Sequence, residues 1–97
     1  MAKGYWVAHV DIDDMDVYKN YIAANAAPFA EYGGKFLVRA GDRTIAEGTA
    51  RARTVVIEFD SYEQALACYQ SEGYQKAKAL RDPISTGDLV IIQGYDG

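Results

Sequence analysis

The sequence has 97 residues, of which 10 are Lys or Arg and 14 are Asp or Glu, for a formal net charge of −4. This length suits a single domain, residues 1–97, and the acidic balance argues against nucleic acid or an anionic membrane as a partner. Cys68 is the only cysteine, which excludes an intrachain disulfide, and no apolar run approaches the roughly 20 residues of a membrane span. We therefore expect a soluble, cytoplasmic protein.

The first third of the chain is predicted to form a strand followed by a helix. Residues 4–10, GYWVAHV, are aromatic and β-branched, as is typical of a strand. The carboxylate of Asp13 or Asp14 suits the N-cap of a helix, which the glycine pair at 33–34 ends. Pro28 lies inside this helix and predicts a kink or break shortly before it. The residues predicted to face the core recur at helical spacing: Met15, Tyr18, Tyr21 or Ile22, Asn25, Phe29 and Tyr32.

Two strands and a polar connection are predicted for the middle of the chain. KFLVRA at 35–40 and RTVVIEF at 53–59 have the β-branched and aromatic content of strands. The connection between them, 41–52, is polar and contains glycine. Its residues 44–47 are expected to form a short strand.

The last third is predicted to hold an interrupted helix and a final strand. Asp60 or Ser61 suits the N-cap of the second helix, and Ser71 suits the N-cap of a further helical piece. Gly73 would cost about 1 kcal/mol inside a helix, which favours a break at this point. DLVIIQGY at 88–95 is the last predicted strand.

The order of these elements, β-α-β-β-α-β, predicts the fold class. Its economical packing is the ferredoxin-like α+β arrangement, a four-stranded antiparallel sheet with both helices on one face. A solvated second face should give alternation along the strands, yet TVVIEF and LVII are nearly continuous apolar runs. We therefore predict a homodimer in which the open sheet faces pack together as a dimeric α+β barrel. The alternative is a solvated face that is apolar only through strand propensity.

Four of the five arginines lie between positions 39 and 53: Arg39, Arg43, Arg51 and Arg53. Guanidinium groups bind carboxylate and phosphate through paired hydrogen bonds, so this stretch predicts a pocket for a small anionic ligand. The alternative is a solvated hairpin, which is the better interpretation for Arg43 and Arg51. Arg39 and Arg53 lie in predicted strands, where a structural role and a pocket role both stay open.

The sequence offers one acid–base candidate and no metal site. His9 is the only histidine, and histidine is the usual acid–base group near neutral pH, although a lone histidine in a strand is more often structural. The aspartates that follow the first strand lack the spacing of a calcium loop and suit helix capping better. No Cys/His pairing supports zinc.

Cys68 is predicted to be a small, buried and inert residue. A cysteine nucleophile needs a neighbour that lowers the thiol pKa, usually histidine, and nothing in the sequence places His9 beside it. Its position near the end of a helix also places it away from the positive end of the helix dipole.

Segments along nearly the whole chain together resemble the bacterial family called domain of unknown function 1330. They are GYWVAHVDIDD at the start, Y-x-x-Y at 18–21, GGKFLVRAG at 33–41, EGTARARTVVIEFDS at 47–61, CYQSEGYQ at 68–75, Arg81 and VIIQGYDG at the end. The resemblance implies the same dimeric fold but no established reaction. Many members have Trp where this chain has Cys68, so the family pattern assigns no role to the thiol.

Related dimeric barrels include cofactor-independent monooxygenases, isomerases and haem enzymes, a likeness at the level of the fold alone. His9 is the only residue that could serve as an axial ligand to haem, and strand one is an unusual position for such a ligand. We therefore predict no cofactor. The predicted function is a pocket for a small anionic or aromatic metabolite, with or without enzymatic activity. The alternative is a non-catalytic ligand-sensing or structural module. The predicted ligand-binding residues are Arg39, Glu47, Arg53, Tyr69, Tyr74 and Arg81, with His9 as the catalytic candidate.

Overall fold

Strands and helices follow one another in an order that builds one antiparallel sheet covered by helices. A computed structural model describes residues 2–96. Their elements are β1 (Gly4–Ile12), α1 (Met15–Glu31), β2 (Lys35–Arg39), β3 (Arg53–Phe59), α2 (Tyr62–Gln70), α3 (Glu72–Arg81) and β4 (Ser85–Gln93), with a 3-10 turn at Asp82–Ile84. None of the helices in this described part has the length and apolar character needed to cross a membrane.

The four predicted strands form the predicted antiparallel sheet, in the order β2-β3-β1-β4. The central strand β1 pairs with β3 on one side and, along its full length, with β4 on the other. The described part has three helices where the β-α-β-β-α-β order has two, because the second helical region, predicted to be interrupted with Ser71 as an N-cap, is divided into α2 and α3. One local prediction fails within residues 2–96, because residues 44–47 form no strand. Of the predicted kink or break near Pro28, the break does not occur, since α1 continues through Pro28, which lies in its last turn.

The sheet has one face covered by helices and one open face. On the covered face, side chains from all four strands form a row of Phe36, Ile57, Trp6 and Ile91. On the open face, the neighbouring row is Val38, Val56, Val7 and Val90, which we call the valine row. Val90 is 54% exposed and Val38 is 39% exposed. The apolar character of the strands therefore extends to a face that a single chain leaves open.

Aromatic side chains fill the space between the sheet and the helices, and Trp6 is at their centre. Trp6 is 2% exposed, and its Nε1–H donates to the Ala65 carbonyl of α2 at 2.8 Å. Its ring lies 4.8–5.9 Å, centroid to centroid, from the rings of Phe29, Phe59, Tyr69 and Tyr74. One side chain of β1 thus contacts all three helices.

The joint between α2 and α3 depends on one hydroxyl group. Ser71 Oγ donates to the Cys68 carbonyl at 2.7 Å and accepts from the Tyr74 N–H at 3.2 Å. The same side chain ends α2 and begins α3, so the break predicted at Gly73 occurs two residues earlier. Because Tyr74 is the residue whose N–H is capped, this joint also fixes where the Tyr74 ring enters the core.

Replacing Ser71 with alanine should lower the free energy of unfolding by about 1 kcal/mol, as expected for a lost N-cap. Threonine keeps both hydrogen bonds and should restore most of that loss. Aspartate can accept from the Tyr74 N–H but cannot donate to the Cys68 carbonyl, so its stability should be intermediate. Urea denaturation of the three variants tests this order, and equal stability of wild type and Ser71→Ala would contradict the role of the hydroxyl.

The predicted burial of Cys68 is confirmed, since the side chain is fully buried and its Sγ donates to the Pro28 carbonyl at 3.7 Å. Burial, followed by the negative charge of Glu31, raises the pKa of the thiol to about 12. The nucleophilic thiolate is therefore scarcely populated at neutral pH. The contact joins α2 to the last turn of α1, so the thiol acts in packing.

Candidate ligand-binding site

A cavity of about 90 Å³ lies between the covered face of the sheet and the helices α1 and α3. Its α1 wall consists of residues three or four positions apart, Tyr18, Tyr21, Ile22, Asn25 and Phe29. Tyr74 and Arg81 come from α3, and strand residues that include Trp6, Arg39, Arg53 and Leu89 complete the lining. The helical spacing that predicted the core-facing side of α1 thus also brings its polar side chains to the cavity.

Arg53, the first residue of β3, lines this cavity and carries a hydrogen-bond donor that the described residues leave unused. Its Nε is buried and has no hydrogen-bond partner among residues 2–96. No carboxylate of the described residues forms an ion pair with its guanidinium group, whose central carbon lies 5.9 Å from the centroid of the Tyr18 ring. A buried donor left without a partner costs about 1–3 kcal/mol. The position therefore favours an acceptor supplied by a ligand.

A second polar cluster in the cavity joins Arg81 to two phenols. Arg81 Nη2 donates to the Tyr74 hydroxyl at 3.2 Å, and that hydroxyl lies 2.8 Å from the hydroxyl of Tyr21. Arg81 also pairs with Asp82 at 3.3 Å, so part of its charge is balanced within the protein. Burial, and next the neighbouring Tyr21, raises the pKa of Tyr74 well above its usual value. The Tyr74 phenol therefore keeps its proton at neutral pH.

Three polar residues of the cavity were predicted to face the core from α1 but were not predicted to bind a ligand: Tyr18, Tyr21 and Asn25. Burial, followed by the neighbouring Tyr21, raises the pKa of Tyr18. Asn25 is 5% exposed and is the only buried polar residue of the described core, and its side chain lines the cavity. The sequence held one signal for this wall, because an asparagine at a core-facing helical position needs a partner that a packed apolar core does not supply.

The cavity brings together four of the six predicted ligand-binding residues: Arg39, Arg53, Tyr74 and Arg81. The ring of Tyr69 packs behind Tyr74, with centroids 5.6 Å apart, and is not part of the lining. Glu47 lies in the exposed connection between β2 and β3, outside the lining. The guanidinium carbon of Arg39 lies 4.2 Å from the centroid of the Phe36 ring, and the residue is exposed. Arg39 is therefore placed at the outer end of the cavity.

His9 borders the cavity, but its side chain points to the other side of the sheet. It alternates with Ala8 and Val10 along β1, and its neighbours in the sheet are Thr54 and Asp88. Alternation along the strands places the side chains of His9, Thr54 and Asp88 on the open face, beside the valine row. An imidazole in that position cannot reach a ligand on the covered face without a change in the strand.

The segment before Arg53 is held in place by Arg51. Its Nη1 donates to Asp11 at 2.9 Å and its Nε donates to Asp88 at 3.0 Å, while the Ala52 N–H donates to Asp11 at 2.9 Å. The Ala52 N–H, followed by Arg51, lowers the pKa of Asp11. These bonds tie the end of the connection to β1 and β4, so Arg53 enters the sheet at a fixed position.

The family of the chain follows from comparison with known proteins. The family model for domain of unknown function (DUF1330) matches residues 3–95. The chain belongs to this family. The resemblance inferred from its sequence segments is thereby confirmed. No curated protein was found to match the sequence of this DUF1330 protein.

Solved structures show the fold that this DUF1330 protein shares with others. RPA0582, a protein of unknown function from Rhodopseudomonas palustris, is 13% identical with a TM-score of 0.76, covering 99% of this chain and 85% of that chain. SnoaB, a cofactor-independent oxygenase from Streptomyces nogalater, is 13% identical with a TM-score of 0.66, covering 100% and 97%. A dimeric ferredoxin-like protein of unknown function from Thermobifida fusca is 17% identical with a TM-score of 0.54, covering 95% and 89%. At these identities the likeness extends to the ferredoxin-like fold alone.

Proposed function

We propose that this protein binds a small anionic metabolite in the cavity between the sheet, α1 and α3. The observation that carries the proposal is the buried Nε–H of Arg53, which has no partner among residues 2–96. An anionic oxygen accepting from that group would replace an unmade hydrogen bond with a charge-assisted one, which is about twice as strong as a neutral bond. Arg39 at the outer end of the cavity would add positive charge where the ligand enters.

Binding without catalysis is the form of this function that the cavity supports better. General acid–base chemistry needs a proton acceptor within hydrogen-bond reach of the ligand. The lining residues of the types that usually serve as general bases are His9 and Asp88, and strand alternation places both side chains on the open face. An activity like that of the cofactor-independent oxygenase SnoaB, which is similar in fold, would therefore have to use a substrate that is already ionised.

The protein is further proposed to act as a homodimer through the open sheet face. The valine row crosses all four strands, and Ile92, in the next row, is 50% exposed. A second copy related by a twofold axis would bring the same apolar surface against it, as isologous packing requires. The dimeric ferredoxin-like protein from Thermobifida fusca, similar in fold, supports this proposal.

The anion site is tested by calorimetry and thermal-shift measurements with short carboxylates, both oxo acids and simple alkanoates. A ligand at one hundred times its dissociation constant should raise the free energy of unfolding by about 2.7 kcal/mol. The replacement Arg53→Gln should weaken binding by about 10- to 100-fold, because a charge-assisted hydrogen bond contributes about 1.5–3 kcal/mol.

Arg43→Gln is the matched control for this substitution. Arg43 lies in the exposed connection, donates to the Thr54 hydroxyl at 3.0 Å and is absent from the lining of the cavity. Its replacement makes the same change in net charge and should leave affinity within about twofold, because exposed charges are screened by salt. Equal loss of affinity in the two variants would mean that only the general positive charge matters, and the assigned site would be wrong.

A further inference from the structure

The cavity holds two donor sites of different charge, and this difference bears on the chemical class of its ligand. Arg53 has no ion-pair partner among residues 2–96, whereas Arg81 is paired with Asp82. A ligand that filled both sites would place its negative charge at Arg53, where a positive charge is unbalanced. The site near Arg81 would then take a neutral acceptor.

The second site also has a proton to donate. A tyrosine hydroxyl carries one proton and two acceptor lone pairs, while a guanidinium group can only donate. The Tyr74 oxygen accepts from Arg81, and a single proton is shared between the Tyr74 and Tyr21 hydroxyls, 2.8 Å apart. Of the two phenolic protons one is therefore left over, and the hydrogen bonds that these two hydroxyls form among residues 2–96 do not use it. Whichever hydroxyl carries it, both tyrosines line the cavity.

We propose that the ligand is a short oxo-carboxylate, with its carboxylate at Arg53 and its keto oxygen accepting the spare phenolic proton of the Tyr21–Tyr74 pair. This inference rests on the proposed anion-binding function. The two sites are linked through neighbouring rings, because the Arg53 guanidinium carbon lies 5.9 Å from the centroid of the Tyr18 ring, and that centroid lies 5.1 Å from the centroid of the Tyr21 ring. A simple alkanoate would satisfy Arg53 alone and leave the phenolic proton unused.

The size of the cavity sets the length of such a ligand. A cavity of about 150 Å³ holds benzene, so the 90 Å³ available here suits a chain of about three to five carbons rather than an aromatic ring. The carbon chain would lie against the apolar part of the lining, which includes Trp6, Phe29 and Leu89. The same measure disfavours the aromatic metabolite that the sequence left open.

Titration calorimetry with matched pairs of acids tests the inference on the full chain. Pyruvate, acetoacetate and levulinate are compared with propionate, butyrate and pentanoate, in which a methylene group replaces the keto group. At least one oxo acid should bind more tightly than its partner, by about twofold and up to about tenfold, since one neutral hydrogen bond contributes about 0.5–1.5 kcal/mol. In the double variant Tyr21→Phe/Tyr74→Phe, which has no phenolic proton at this site, that preference should fall to about one. Both rings remain, and denaturation confirms that the variant is folded.

Tyr32→Phe is the control, because Tyr32 is half-buried in the core but does not line the cavity, and it should keep the wild-type preference. Equal affinity for oxo acids and alkanoates in wild type would overturn the oxo-carboxylate inference and leave the anion site standing. An oxo preference that survives in the double variant would also overturn it, because the phenols would not be its source. If none of the six acids binds, the proposed anion-binding function fails together with the inference.

Discussion

Replacing Trp6 with alanine is expected to lower the free energy of unfolding by about 3–5 kcal/mol, the usual cost of truncating a buried Trp. The side chain is 2% exposed, contacts four aromatic rings and donates to the Ala65 carbonyl. Truncation would leave a void among these rings and would remove the hydrogen bond that joins β1 to the Ala65 carbonyl of α2. For a domain of this size, a large part of the total stability would be lost. Urea denaturation followed by circular dichroism measures the effect.

Two further variants separate packing from hydrogen bonding at this position. Trp6→Phe keeps a ring but removes the N–H donor, so its stability should lie between those of wild type and the alanine variant. Tyr95→Ala removes an aromatic side chain that is 98% exposed and should change the free energy of unfolding by less than about 0.5 kcal/mol. A loss below about 1 kcal/mol in Trp6→Ala would mean that Trp6 is not the centre of the core.

Replacing Val90 with arginine is expected to convert a homodimer into monomers. Val90 belongs to the valine row and is 54% exposed in a single chain, so the larger side chain can be accommodated without disturbing the monomer. In a twofold dimer, each copy would bury an unpaired charge, at about 3 kcal/mol or more per charge. With two such charges in the dimer, its dissociation constant should therefore rise by about 10,000-fold or more. Size-exclusion chromatography with light scattering measures it.

Leu80→Arg is the matched control for the open face. Leu80 is 41% exposed and lies on α3, on the other side of the sheet, so its replacement should leave the dimer intact. Urea denaturation of the monomeric Val90→Arg variant checks that the fold is retained. Wild-type protein that is monomeric at micromolar concentration would show that the valine row is a solvated face, and the proposed dimer would be wrong.

The sheet could be predicted from the sequence because its strands carry local signals. Aromatic and β-branched runs mark all four strands, and β3 has the predicted bounds, 53–59. β1 extends two residues past its predicted end, to Ile12, and β4 begins three residues before its predicted start, at Ser85. Both extensions occur because the pairing of the two strands continues from Gly4–Gln93 to Ile12–Ser85, beyond their apolar runs. The length over which two strands pair depends on both of their sequences, so it cannot be predicted from the sequence of one strand alone.

The cavity was harder to predict because it is made by tertiary contacts between distant segments. Arg53 and Arg81 were identified by residue type, whereas Tyr18, Tyr21 and Asn25 were assigned to the core by the spacing of α1. Periodicity tells which side of a helix faces inward, but it does not tell whether that side meets packed atoms or a void. Tyr69 and Tyr74 illustrate the same limit, since they are neighbours in sequence and only Tyr74 lines the cavity.

The pairing of β1 with β4 has a consequence for how the protein is made. β1 is translated first, yet its partners are β3, which begins at Arg53, and β4, which ends at Gln93. A ribosome adds about 5–20 residues per second, so for several seconds the most apolar strand of the nascent chain has neither ladder. The Gly94 N–H donates to the Lys3 carbonyl at 2.7 Å, which continues the β1–β4 pairing beyond the Gly4–Gln93 pair. Pairing of β1 with β4 closes a loop of most of the chain, and folding that depends on such distant contacts is slow. Until β1 is paired, the strand is exposed to aggregation.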